Sequence, residues 1–325
     1  AGSALCAVPP AFAREPWQLA ALLGVLALFE RSAGAVNQGV VAQLARGGRG
    51  VLFKAYLRAV TNTAIAVGSL VGGAALVIDR SWAYVSVFVL NGVLTAFAAW
   101  NTTRLPHLPP YERAAGEPRL AVLRDWPYVV ITAMTGLFAL HFLVMELGVA
   151  LFISQRTQAP TVMVAVLLLL NTVAVALFQV RLSRGSDSVA ASSRSLLRGS
   201  LWMAAGFVAI GLAGRFGVTA AIGLLVVGAG LHVVGEMIGS GGQWGLQMGL
   251  APHERQGQYQ GFAGLGFTSV TIVGPPVVTL LCVRHSDIGW FVLAALMVTV
   301  SAATIPLARW ALSHREQYGV TTHSG

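Results

Sequence analysis

Gly24-Val25-Leu26-Ala27-Leu28-Phe29-Glu30-Arg31 begins a stretch that passes through Arg46-Gly47-Gly48-Arg49 and closes on Gly68-Ser69-Leu70-Val71-Gly72-Gly73. Its reading decides the fold because the stretch returns later in the chain. Sliding the sequence by 206 positions without a gap lays Gly24 on Gly230, Glu30 on Glu236, Gly39 on Gly245, Leu44 on Leu250, Ala45 on Ala251, Arg49 on Arg255, Val67 on Val273, Gly68 on Gly274 and Val71 on Val277. Chance should supply about 4 such identities in a chain this rich in small apolar residues, against nine found in fifty positions. The residue types carry more than the count: a carboxylate inside an apolar run, an arginine in a polar turn and a glycine-rich helix recur in one register. Two helix–loop–helix units pointing the same way describe a membrane protein made of parallel halves, an architecture of transporters.

The surroundings of both copies are apolar. The chain has 325 residues, 56% hydrophobic and 10% charged, with mean hydropathy +0.72, more apolar surface than a water-soluble core of this size can hide. Runs long enough to cross a bilayer as helices, about 20 residues each, lie at 17–44, 59–78, 82–100, 127–153, 160–180, 196–214, 218–250, 261–283 and 288–312. The expected fold is therefore an all-α polytopic membrane bundle of nine complete spans, preceded by an apolar stub at 1–13. A barrel is excluded, since the runs are continuous rather than alternating. Cys6 and Cys282 lie in apolar spans without metal-like spacing and read as small core residues, so neither a metal nor a cofactor is expected.

The net charge of +9 comes from basic residues dealt out to alternate loops rather than gathered in one patch, which argues for membrane orientation and against nucleic acid. One set of segments carries fifteen: Arg46, Arg49, Lys54, Arg58, Arg104, Arg113, Arg119, Arg124, Arg181, Arg184, Arg194, Arg198, Arg255, Arg309 and Arg315. The other carries five: Arg14, Arg80, Arg156, Arg215 and Arg284. The first set and the C-terminus are thus expected in the cytoplasm, the protein spanning the plasma (inner) membrane many times. The stretch 104–126, with Pro106, Pro109, Pro110 and Pro118, reads as a cytoplasmic linker between a first bundle at 1–103 and a six-helix bundle at 127–312, with a cytoplasmic tail at 313–325. If the two bundles are equal, the stub is the tail of a third helix and the first helices lie upstream of Ala1.

Three stretches resemble the major facilitator superfamily, and within it the drug and metabolite efflux type. Gly68-Ser69-Leu70-Val71-Gly72-Gly73 looks like the glycine-rich antiporter motif of the fifth helix, with Ser69 where proline is usual. Ala251-Pro252-His253-Glu254-Arg255-Gln256-Gly257-Gln258-Tyr259-Gln260-Gly261, running into Gly274-Pro275, is similar to the loop and helix joining the tenth and eleventh spans. Leu182-Ser183-Arg184-Gly185-Ser186-Asp187 occupies the place of the cytoplasmic loop between the eighth and ninth, without its basic ending. Arg31 resembles the buried arginine of the fourth helix, which implies that it holds a neighbouring carboxylate ionised.

An ionisable side chain at mid-bilayer is expensive, about 2.5–3.5 kcal/mol on insertion scales, so each needs a partner or a wet cavity. Glu30 and Arg31 fall near the middle of 17–44, and His232 and Glu236 near the middle of 218–250. His141 and Glu146 lie ~21 and ~28 Å along 127–153, in its outward half. In the functional reading Glu30 and Glu236 line a central cavity and carry protons in exchange for substrate. In the structural reading Glu30–Arg31 and His232–Glu236 only lock helices together, and Glu146 reaches the outer headgroups. Gly68, Gly72 and Gly73, with Gly274 and the helix-bending Pro275 in the equivalent helix, either seal one side of a cavity or simply pack. The run Gly239-Ser240-Gly241-Gly242-Gln243-Trp244-Gly245 marks a broken segment or the close crossing of another helix. Arg49 and Arg255 are expected in cytoplasmic loops.

An enzyme is not expected, since the sequence offers no nucleophile elbow, metal-ligand spacing or phosphate-cradling loop. The leading expectation is a monomeric secondary transporter in the lipid bilayer, exporting drug-like or amphipathic small molecules in exchange for protons. Uptake of a small metabolite, or a non-transporting membrane scaffold, are the alternatives.

Overall fold

In hydrocarbon every backbone N–H and C=O must be satisfied within its own segment, so long continuous apolar runs become helices. The computed structural model describes residues 2–44, 48–104, 120–314 and 317, and these contain helices and no strand. In chain order the helices are α1 (Gly2–Ala7), α2 (Pro16–Leu44), α3 (Gly48–Ile78), α4 (Ser81–Thr102), α5 (Trp126–Arg156), α6 (Val162–Leu182), α7 (Val189–Arg215), α8 (Val218–Gly249), α9 (Gln256–Arg284) and α10 (Ser286–Ser313). Among the described residues eight of them, α3 to α10, are long and apolar enough to cross a membrane, and α2 adds a further 29 residues. Each expected span therefore has its helix, and the chain is an all-α polytopic membrane bundle. Most of the linker, 105–119, and most of the tail after 314 lie outside the described residues.

Local chemistry sets several of the ends. Asp125 caps α5, its carboxylate accepting from the Tyr128 N–H at 3.1 Å, with Pro127 in the first turn. Ser188 caps α7 by accepting from the Ala191 N–H at 3.2 Å. At the far end of α9 the Arg156 side chain donates to the Val283 carbonyl at 2.7 Å, satisfying a carbonyl that the helix end would leave open. The start of α3 corrects the sequence reading: the helix begins at Gly48, eleven residues before the expected 59, so Lys54 and Arg58 are helical residues and not loop charges.

The chain divides into two compact units. The first holds residues 1–40 and 64–112, so that residues 41–63, on the near side of the expected boundary at 103, sort with the second. Within the first unit α1 packs on α4 at Gly92, where an added Cβ would lie 2.7 Å from Val8 Cγ2. Gly68, Gly72 and Gly73 have open space around them, with nothing within 4 Å of an added Cβ.

The second unit, residues 41–63 and 113–325, is organised by a glycine seam between α7 and α8. Gly199 and Gly206 on α7, and Gly228, Gly235 and Gly242 on α8, recur every seven residues. A Cβ on Gly199 would stand 2.5 Å from the Gly235 carbonyl, one on Gly206 2.6 Å from the Gly228 carbonyl, and one on Gly242 2.5 Å from the Leu196 nitrogen. A period of seven keeps one stripe facing one neighbour, so the two backbones stay in contact along the seam. The run Gly239–Gly245 is accordingly an unbroken part of α8 at a close crossing, not a break. A second close approach joins α5 to α9, where a Cβ on Gly136 would be 3.3 Å from the Gly266 backbone, and Gly274 has no room for one beside Leu143. Trp290 on α10 fills the core between Phe152 and Phe207, at ring separations of 5.2 and 5.8 Å.

Candidate functional site

The seam decides which way the polar residues of α8 look. Gly235 faces α7, and Glu236, about 100° further round the helix, turns toward α6 and the first turns of α3. Glu236 is 2% exposed, and its carboxylate is shared by two donors. Arg58 Nη2 forms an ion pair and hydrogen bond with Oε1. Asn171 Nδ2 on α6 donates to Oε2 at 2.8 Å. The Arg58 guanidinium also lies over the Phe142 ring of α5, 4.6 Å from its centroid, a cation–π contact that fixes its plane. A third interaction runs along α3, where Asn62 Nδ2 donates to the Arg58 carbonyl at 3.0 Å.

Beside this pair sit two imidazoles. His232, one turn before Glu236 on α8, is fully buried, with Nδ1 3.9 Å from Glu236 Oε2. His141 on α5 is fully buried as well, and the two rings are 5.3 Å apart. Phe138, Phe142 and Phe207 surround them. None of the four ring nitrogens has a hydrogen-bond partner among the described residues. One ligand atom from each of His141, His232 and Glu236 lies within 4.8 Å of the others. Residues 141, 232 and 236 have no ligand-like spacing in sequence; the packing of α5 against α8 is what brings them together.

A second polar layer follows nearer the expected cytoplasmic end. Lys54, one turn before Arg58 on α3, is buried and donates to Gln260 Oε1 on α9 at 2.8 Å. Gln260 Nε2 donates in turn to the Gln247 carbonyl at 3.2 Å. Tyr128 donates to the carbonyls of Gln247 and Tyr259 at 3.3 and 3.0 Å, and Tyr259 donates to Asp125 Oδ2 at 3.1 Å. Lys54 and Gln260 are separated by 206 positions, the offset of the sequence repeat.

Of the residues singled out from sequence, the fold gathers His141, His232 and Glu236 and leaves Glu146 out. Glu146 is exposed on a π turn, Val144–Gly148, one turn beyond His141. Glu30 is exposed in the first unit, and the side chain of Arg31 lies outside the described residues. Arg49 stands exposed on the first turn of α3, and Arg255 closes the short helical turn His253–Arg255 before α9. Pro275 sits inside a continuous α9. The residues missed are Arg58 and Lys54, while Asn171 is a polar group of the 160–180 span whose part the sequence leaves open. A signal for the first two exists in the sequence: Val51, Lys54, Ala55, Arg58 and Ala59 share one face at helical spacing, and Val51, Lys54, Ala55 and Ala59 are buried.

No protein-family model and no curated protein matches the sequence. Among solved structures, the crystal structure of a bacterial homologue of the iron transporter ferroportin in an outward-facing state is similar to this chain. The match has a TM-score of 0.63 and 17% identity, and covers 96% of this chain and 80% of that one. The likeness is one of fold: the chain is an all-α, multi-pass membrane bundle with the fold of that structure.

Proposed function

We propose that the chain is a secondary active transporter working by alternating access, in which Glu236 exchanges Arg58 for another cation. The observation that carries this reading is the Arg58–Glu236 pair, a carboxylate and a guanidinium held together between apolar helices and neighboured by two unpartnered imidazoles. Intramembrane charges of this kind mark ion and substrate pathways. While Arg58 holds Glu236, the start of α3 is fastened to α6 and α8. A proton arriving at the carboxylate neutralises it, ends the ion pair and frees α3 to move. Opening at this end also parts Lys54 from Gln260. In the finer form of the proposal the two bundles, 1–103 and 127–312, rock about the linker at 104–126. They export a drug-like or amphipathic small molecule for a proton, in the plasma membrane, as a monomer with a cytoplasmic C-terminus. Glu30 supplies the equivalent carboxylate in the first copy of the repeat, and Arg31 its counter-charge.

The test is transport into liposomes under an imposed pH gradient, comparing the chain with its Glu236→Gln variant. Loss of gradient-driven movement with retained folding is the expected result, and undiminished movement removes Glu236 from the mechanism. A second reading concerns the cargo. The structurally similar ferroportin homologue is related to a transporter of iron, and the paired histidines beside Glu236 favour a metal cation over an organic solute.

A further inference from the structure

Buried polar atoms in a folded protein are satisfied, and each exception calls for a missing water or ion. Among the described residues ten buried side-chain atoms are such exceptions, and five of them, the ring nitrogens of two histidines and Arg58 Nε, belong to one cluster. Four imidazole nitrogens, on His141 and His232, are unpartnered in one place, next to a carboxylate paired with a long, flexible arginine side chain. We infer that His141, His232 and Glu236 form a binding site for a divalent first-row transition metal, which enters by displacing Arg58 from Glu236; this rests on the transporter reading above and names the cargo class of that centre.

The donor set argues for the class of ion. Two neutral imidazoles and a carboxylate suit Fe(II), Co(II), Mn(II) or Zn(II), whereas calcium and magnesium take oxygen ligands. Metal–ligand bonds of about 2.0–2.2 Å place the donors of a tetrahedral site roughly 3.4 Å apart, so atoms already within 4.8 Å need only side-chain rotation to close on an ion. One nitrogen of each ring ligates and the other carries the ring proton. Asn171 stays on Oε2, orienting the carboxylate as outer partners of metal ligands do, while Arg58 vacates Oε1. Arg58 has a way out: its side chain is 23% exposed where Glu236 is 2% exposed. In this state the arginine is a tethered cation standing where the free one would bind, and metal entry would unfasten α3.

Co(II) is the probe, titrated into the full chain in detergent micelles and read by its visible ligand-field absorption and by calorimetric stoichiometry. One Co(II) per chain is expected. His141→Gln and His232→Gln should each weaken binding at least ~10-fold, the loss that even an outer partner of a metal ligand can bring. Arg58→Gln should tighten it several-fold, a gain that misfolding cannot mimic. Absence of ligand-field absorption, or absorption that survives both histidine variants, overturns the site and leaves ordered water as the occupant. Unchanged or weaker binding in Arg58→Gln overturns the displacement. Gradient-driven solute transport by a chain that binds no Co(II) sinks the metal site alone. Co(II) bound as expected by a chain that moves no solute sustains the site and sinks the transporter reading instead.

Discussion

Glu30 and Glu236 hold the same register in the two copies of the repeat, yet they live in different surroundings. Glu236 is buried and held by Arg58 and Asn171, while Glu30 is exposed in its own unit, with no hydrogen bond or ion pair among the described residues. The glycines behave alike: Gly274 is pressed against Leu143, and its equivalent Gly68 stands in open space. A matching register along the sequence does not fix what a residue does; the helices packed on it do. Glu236 of the second copy is held in a charged centre by Arg58 of the first, and Glu30 has no such centre among the described residues.

Removing half of a buried ion pair should give the largest separation between the surroundings of the two carboxylates. Arg58→Ala leaves the Glu236 carboxylate buried without its counter-charge, a loss of about 3–5 kcal/mol. Glu30→Ala removes an exposed group and should stay within ~0.5 kcal/mol. Thermal unfolding in detergent reads both, and equal shifts for the two variants would dissolve the contrast. Next in size is the layer at Lys54. Gln260→Leu takes away the acceptor of a buried ammonium and should destabilise by about 1.5–3 kcal/mol, the range for hydrogen bonds to charged groups. Adding Lys54→Met should recover most of it, because the stranded charge goes too. A double variant no better than the single one would mean that the contact across the repeat carries no energy.

The spans are legible in the sequence because hydropathy is local: a continuous run such as Val162–Leu182 has no alternative to helix in a bilayer. The glycine run at 239–245 is half legible, since composition alone does not separate a break from a close crossing, and only α7 on its other side does. The centre is harder to read. Lys54 and Arg58 fall among the loop charges because positive-inside counting assigns charges by distance from an apolar run. Their place in the second unit depends on α3 starting early and turning that face inward. That His141 meets His232 across ninety-one positions is a matter of α5 packing on α8, which no spacing rule in one sequence reports.

Gly68 and Gly274 offer the finest version of the comparison, and one that bears on motion. An added methyl at Gly274 meets the terminal methyls of Leu143 and then Leu140, which must turn aside. Gly274→Ala should therefore lose the gain that helix propensity offers and fall about 1 kcal/mol short of the same change at Gly68. At Gly68 nothing is in the way, and Gly68→Ala should gain up to ~1 kcal/mol from helix propensity alone. A glycine that is open here and still serves as a gate must close on a neighbour in another conformation of the transport cycle. Gly68→Ala would then make this conformation firmer while slowing transport, two changes of opposite sign from one methyl group. If the variant melts higher and transports as fast as the parent, the small-residue stripe at Gly68, Gly72 and Gly73 has no gating role, and the first copy of the repeat is a scaffold for the second.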